Sequence, residues 1–335
     1  MNALDKLITQ ARKTPAKIVL PESSDIRILQ AAIEAARLGV ASPALLLSSS
    51  EADSLAEQHG LDLSSVTLID PSEAASSARW AEALHEHRAH KGMTLEAAQQ
   101  AVQSPLTAAA LMCRLGEVDG VVAGAITATA DVVRTALQII GAHPDAALVS
   151  SFMLMIPPES DTQTRDAVVY SDCGLVIDPD SDALAEIARA AGKSAAGLLG
   201  EPPRVAMLSF STAGSAKHSA VSKVQKATEA LKAAEPDWQV VGEVQFDAAW
   251  VPELMAQKAP EATFDAPANV FVFPSLDAGN IAYKITQRLG GWQVIGPLLQ
   301  GLNRPINDLS RGCVADDVVA VMAVTSLQAA AVTKN

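Results

Sequence analysis

The stretch KIVLPESSDIRILQAAIEAARLGVASPALLLS, residues 17–48, reads as strand, helix, strand. Its ends, KIVLP (17–21) and PALLLS (43–48), are short and almost wholly apolar, whereas Asp25–Leu38 repeats its apolar residues at helical spacing and is rich in alanine. A strand without polar alternation is buried on both faces, and the helix that follows it supplies one of the covers. That pairing is the unit of an α/β protein built on a parallel sheet. Working outward, the same rhythm returns at VTLID (66–70), GVVAGA (120–125), RVAMLSFS (204–211), QVVGEVQ (239–245) and NVFVFP (269–274). Further periodic helices are expected over 182–199 and 216–234. The fold class expected is therefore α/β.

A chain of 335 residues exceeds the roughly 100 to 200 of an ordinary domain, so two domains are expected. Breaker clusters at Gly141-Ala142-His143-Pro144 and at Gly296-Pro297, with Gly301 close behind, mark the crossings. One parallel-sheet domain then comprises 1–143 plus 297–335, and a second, 144–296, is inserted in it. With 49% hydrophobic residues the chain has ample material for large cores. The apolar run 318–332 is interrupted by Thr325, Ser326 and Gln328 and is shorter than the ~20 residues of a membrane span, so it reads as a core helix.

The net charge of −13 opposes binding to nucleic acid or anionic membranes. A polyanionic ligand must meet a local cluster of cations. Cys113, Cys173 and Cys313 are odd in number and far apart, as reduced thiols are, and the N-terminus lacks the signature of a signal peptide, so a cytoplasmic location is expected.

Neither the dinucleotide fingerprint nor the Walker loop is present, and there is no G-x-S-x-G elbow. LSFSTAGSAKHS (208–219) runs from a strand through a turn into a helix; Ser215 and Lys217 there either hold an anion or belong to an ordinary capped turn. His87 and His90 can share a helical face, but they lack a third ligand to make a metal site. NDLSRGCVADDVVAVMAV (307–324) places Asp308, Ser310 and Arg311 in a turn ahead of a helix that begins with Asp316 and Asp317. Those carboxylates complement the helix dipole or do chemistry. In SLDAGNIAYKITQRLGG (275–291), Asn280, Lys284 and Arg288 form one helical stripe beside an apolar stripe of Ile281, Ile285 and Leu289. In GAITATADVVRTALQII (124–140) a strand ends at Thr127 and Thr129, with Arg134 a turn into the helix, where α/β sheets bind ligands.

These segments, together with PESSDIR (21–27), HRAHKGMT (87–94), SSFMLM (150–155) and the run GNIAYKITQRLGGWQVIGPLLQGLNRPINDLSRGC (279–313), closely resemble the phosphate acetyltransferase family over essentially the whole chain. The resemblance implies a homodimer of two α/β domains, related in fold to isocitrate and isopropylmalate dehydrogenases, with the site in the interdomain cleft. It implies acetyl transfer between coenzyme A and inorganic phosphate, with no metal and no tightly bound cofactor; acetyl-CoA, phosphate and acetyl phosphate are the small-molecule substrates. Ser310, Arg311 and Asp317 match the family's catalytic serine, arginine and base. Arg88, Arg134 and Arg288 match its arginines associated with CoA, and Lys284 is placed with them. Arg311, Thr129, Asn280, Ser215 and Lys217 are the candidates for phosphate or acetyl phosphate. The chain departs from the family at Thr127-Ala128-Thr129-Ala130-Asp131, where relatives usually read H-[ST]-T-A-D, and at Val314, where they often carry a capping serine.

The implied chemistry is direct attack of the CoA thiolate on the acetyl carbonyl in a ternary complex. Arg311 offers a planar fork for phosphate oxygens and Ser310 a donor for the carbonyl oxygen. Asp317 as base faces a thiol about 4.6 pKa units higher, a mismatch of roughly 6 kcal/mol, which points to desolvation or to proton transfer concerted with attack. A propionyl- or butyryl-specific acyltransferase and a non-catalytic acetyl-CoA sensor are the competing expectations.

Overall fold

Strand β1 (Ala16–Leu20) lies in the middle of a five-stranded sheet with β2 (Ala41–Leu46), β3 (Thr67–Ile69), β4 (Gly120–Ala123) and β11 (Ile306–Asp308), in the order β11-β4-β1-β2-β3. Every pair in it is parallel. The computed structural model describes residues 3–158, 167–261 and 264–332. They divide into two compact units, one of Leu4–His143 with the chain from Leu302 onward, the other of Pro144–Gly301 together with Ala3.

The first unit follows the sequence pattern closely. Asp25 caps the helix Ile26–Leu38 by accepting from the Arg27 amide, and Gly39 closes it in the left-handed conformation. The C-terminal helix Ala315–Val332 is, among the described residues, the one helix long and apolar enough to cross a membrane. Val318, Val321, Met322 and Val324 are nevertheless buried in the unit, as expected of a core helix. The polar residues that interrupt its apolar run attach it to the sheet. Asn307 of β11 donates to Thr325 Oγ1 at 2.8 Å and to Gln328 Oε1 at 2.6 Å, and Ser326 Oγ accepts from the Ala16 amide at the start of β1.

The second unit holds a six-stranded sheet in the order β10-β5-β6-β9-β7-β8, with β5 at Ser150–Ile156, β6 at Val168–Ser171, β7 at Arg204–Leu208, β8 at Gln239–Val244, β9 at Val270–Val272 and β10 at Gln293–Gln300. The expectation of a wholly parallel sheet fails here, because β5 runs antiparallel to both β10 and β6. The expected domain boundary at 296/297 also moves. Gly296 and Pro297 lie inside β10, where the pairing with β5 shifts register between Ile295 and Leu298, and the unit ends at Gly301. A bulge admits a Gly-Pro pair that reads as a breaker in sequence. Tyr170 packs edge-on against Phe271 and Phe273 in a core that also contains Met153, Met155 and Val244.

Candidate active site

Parallel strands β1, β4 and β11 of the first unit all end at the same edge of their sheet, and each is followed by functional groups. After β1 comes Glu22, whose carboxylate accepts four successive amides from the segment after β4: Gly124 at 3.0 Å, Ala125 at 2.7 Å, Ile126 at 2.9 Å and Thr127 at 2.6 Å. One side chain thus fixes a loop that has no secondary structure of its own. The loop then enters the helix Thr129–Thr135.

Arg27, in the first turn of the helix after β1, ties this loop to the turn after β11. Its Nη2 donates to Asp25 Oδ2 at 2.7 Å and to Ala125 O at 3.0 Å. Its Nη1 donates to Arg311 O at 2.9 Å and Cys313 O at 3.1 Å. Hydrogen bonding and ion pairing with Arg27 hold the Asp25 carboxyl below its usual range, and burial pushes the Cys313 thiol up, against the pull of Arg27. Cys313 is therefore a packed, protonated thiol rather than a nucleophile.

The turn itself runs from Ser310 to Cys313, closed by the Cys313 amide on Ser310 O at 2.9 Å, with Ser310 Oγ accepting from the Gly312 amide at 3.3 Å. Ser310 and Arg311 are exposed, and the Arg311 guanidinium has no hydrogen-bond or ion-pair partner among the described residues. Asp317 is half-buried and Asp316 exposed. Asp317 Oδ2 accepts from the Val314 amide at 3.1 Å, which is half of a capping box. The hydroxyl half is missing because Val314 stands at the cap, and the carboxylate alone meets the orphan amide.

Asp308 is not part of that turn, contrary to the sequence reading. It is the last residue of β11, paired with Ala123 of β4, and is fully buried. Its Oδ2 accepts from Thr129 Oγ1 at 2.6 Å, so the hydroxyl hydrogen of Thr129 is already committed. Burial pushes the Asp308 carboxyl up to about 7, with Thr129 working against that shift. Gly124, with φ +110°, makes the close packing possible, since a Cβ there would collide with Asp308 Oδ1 and the Leu309 backbone.

The remaining candidate cations of this unit, Arg134 and Arg88, bear on the helical segment that Thr129 begins. Arg134 forms an exposed pair with Asp131 at 2.6 Å. At the far end, Arg88 Nη1 donates to Gln138 O at 3.3 Å, His87 Nε2 lies 3.1 Å from the same carbonyl, and Arg114 donates to Ile139 O at 2.8 Å. These groups satisfy carbonyls at a helix C-terminus. Arg27, Arg114 and Glu22 were not singled out from the sequence; PESSDIR contains two of them, but nothing in it reveals their distant partners.

The other candidates belong to the second unit. Asn280, Lys284 and Arg288 share one face of the helix Leu276–Gly290, where Asn280 Nδ2 donates to Cys173 O at 3.1 Å and Lys284 Nζ to Asn280 Oδ1 at 2.8 Å. Arg288 is exposed. The expected helix over 216–234 begins later, at Ser219, with His218 as its cap, so Ser215 and Lys217 lie in the turn before it. Ser215 Oγ accepts from the Thr212 amide at 3.1 Å and sits 3.2 Å from Ser211 Oγ. Lys217 is exposed.

A strand-end edge that gathers a free guanidinium, an exposed hydroxyl, a half-buried carboxylate and a buried acid defines an α/β protein equipped to hold an anionic group and move a proton. The particular family follows from the whole sequence. Residues 2–326 match the family model described as phosphate acetyl/butaryl transferase. The chain is 46% identical over 329 residues to the phosphate acetyltransferase of Acetivibrio thermocellus, covering 98% of each. It is similar in structure to a phosphotransacetylase from Streptococcus pyogenes, with a TM-score of 0.90, 41% identity and coverage of 98% of this chain and 99% of that one. The EutD phosphotransacetylase from Staphylococcus aureus gives a TM-score of 0.87 at 42% identity, covering 97% and 99% respectively. The chain belongs to the phosphate acetyl/butaryl transferase family.

Proposed function

We propose that this protein catalyses the reversible transfer of an acetyl group between coenzyme A and inorganic phosphate, by direct attack of the CoA thiolate on acetyl phosphate in a ternary complex. The observation that carries this reading is the unpartnered Arg311 guanidinium beside the Ser310 hydroxyl, on a turn whose backbone is fixed from outside by Arg27. A planar cation with no internal partner is ready for a phosphate oxygen pair, and it stabilises the leaving phosphate as the acyl C–O bond breaks. Ser310 donates to the carbonyl oxygen. Asp317 takes the thiol proton, with Thr129 at the phosphate beside Arg311.

Arg88, Arg134, Lys284 and Arg288 are the cations for CoA, with Lys217 a further cation for phosphate. They are shared between the two units, and a two-domain fold of the isocitrate/isopropylmalate dehydrogenase kind is part of this reading. An exposed stripe of Ile281, Ile285 and Leu289, the last 86% accessible, supports a homodimer. Three buried free cysteines suit a reducing cytoplasm. The test is thiolysis: acetyl phosphate is mixed with CoA and thioester absorbance followed, with propionyl and butyryl phosphates as competitors. Thioester formation that is fastest with acetyl is expected. CoA binding without acyl exchange would mark a sensor, and a preference for butyryl would redefine the substrate.

A further inference from the structure

Asp308 has one oxygen with a partner and one without. Oδ2 accepts from Thr129, whereas Oδ1 is a buried side-chain oxygen with no hydrogen bond among the described residues. Gly124 closes over it, and the residue has no exposure. A carboxylate oxygen kept dry and without a donor destabilises the charged form far more than the neutral acid. Two charged groups bear on it: Glu22, from the segment after β1, opposes the negative form, and Arg311, from the turn after β11, favours it.

We propose that Asp308 is a positioning residue that sets the direction of the Thr129 hydroxyl, so that a phosphate group meets an O–H donor there only when Asp308 carries a proton. This rests on the reading that phosphate lies against Thr129 and Arg311. As a carboxylate, Asp308 takes the hydroxyl hydrogen and Thr129 shows an anion only lone pairs. When one proton from solution adds to Oδ2, that oxygen becomes the donor to Thr129 Oγ1 and the threonine's own hydrogen turns outward to the phosphate. One O–H bond forms on Asp308 as one bond to hydrogen breaks in the hydronium or buffer acid that donates it, and where Asp308 starts ionised one proton is taken up for each anion bound. Oδ1 is left as a neutral acceptor, which an apolar setting tolerates far better than a charged one.

The probe is acetyl phosphate, a dianion across the range from about pH 6 to about pH 8.5, so that its own charge does not shape the profile. With CoA saturating, KM for acetyl phosphate of the parent protein is expected to rise above a midpoint of about 7, approaching tenfold per pH unit. In Asp308→Asn an amide donates to Thr129 at every pH, so KM should be low and flat. Thr129→Val should raise KM by roughly tenfold at low pH and abolish the slope. Thr129→Ser should restore both. The Thr129 pair carries the test alone if Asp308→Asn does not fold. The parent's slope persisting in Asp308→Asn or Thr129→Val would overturn the inference, as would failure of serine to restore it. A parent that turns over with a flat KM removes this inference and leaves the proposed function standing. A parent that transfers no acetyl group at any pH overturns both.

Discussion

Two turns, one in each unit, are built the same way and end differently. After β4, Glu22 collects four backbone amides; after β7, Glu243 holds the 211–216 turn by accepting from the Gly214 amide at 2.7 Å, Ser211 Oγ at 2.9 Å and Gln225 Nε2 at 2.8 Å. Burial opposes the charge of Glu243, but those three donors outweigh it and hold its pKa below the usual value. Both oxygens of Glu243 are partnered, and the serine hydroxyls around it are bonded to the turn. The β4 turn instead adjoins a buried carboxylate with one unpartnered oxygen and a guanidinium with no partner among the described residues. A self-satisfied polar network is a structural device, whereas unspent hydrogen-bonding capacity next to exposed donors marks the place where a ligand completes the network.

The largest effect expected is at the carboxylate assigned as base. Asp317→Asn keeps an acceptor for the Val314 amide but loses proton acceptance, so kcat should fall by roughly 10² to 10⁴-fold with little change in thermal unfolding. Asp316→Asn, at an exposed position, should lose at most about 0.3 to 1 kcal/mol of stability and retain its turnover. Equal kinetic damage in the two would leave the base unassigned, and a silent Asp317→Asn would move attention to another acceptor.

A direct test of the contrast between the turns comes next. Glu22→Gln and Glu243→Gln each replace an acceptor oxygen by an NH₂ facing N–H groups, and each should lower stability by about 1 to 3 kcal/mol. Only Glu22→Gln should also reduce kcat/KM, by roughly tenfold or more, because a displaced Thr129 misplaces the phosphate. Matching kinetic losses in the two variants would erase the distinction drawn between the turns. The smallest effect is expected for Arg134→Ala. Its pair with Asp131 is exposed, so stability should change by no more than about 0.5 kcal/mol, while KM for CoA rises with kcat nearly constant. An unchanged KM for CoA would remove Arg134 from the site.

The α/β rhythm was legible because it is local: the seven apolar runs all became strands, and the helix expected from Asp25 to Leu38 runs over Ile26–Leu38. What escaped reading depends on partners far along the chain. β11 is three residues, Ile-Asn-Asp, two of them poor strand formers, and only its pairing with β4 makes it a strand. Its last residue is a fully buried aspartate, a placement so uncommon that sequence gives no reason to expect it. β10 was hidden by Gly296-Pro297, which a bulge absorbs. Arg27 looked like an ordinary residue of the first helical turn; its function comes from carbonyls 98 to 286 positions away. The candidate site residues Ser310, Arg311 and Asp317 could be named from the family resemblance, but not the means by which the fold holds them.

The assignment of Arg311 as the group that binds and stabilises phosphate is tested most directly by the turnover of Arg311→Lys in the thiolysis assay. Lysine keeps the positive charge and loses the two-pronged donor geometry, so most of kcat should disappear while the far-ultraviolet spectrum and the melting temperature stay near those of the parent. A kcat within a factor of about two of the parent would contradict a transition-state role for this side chain.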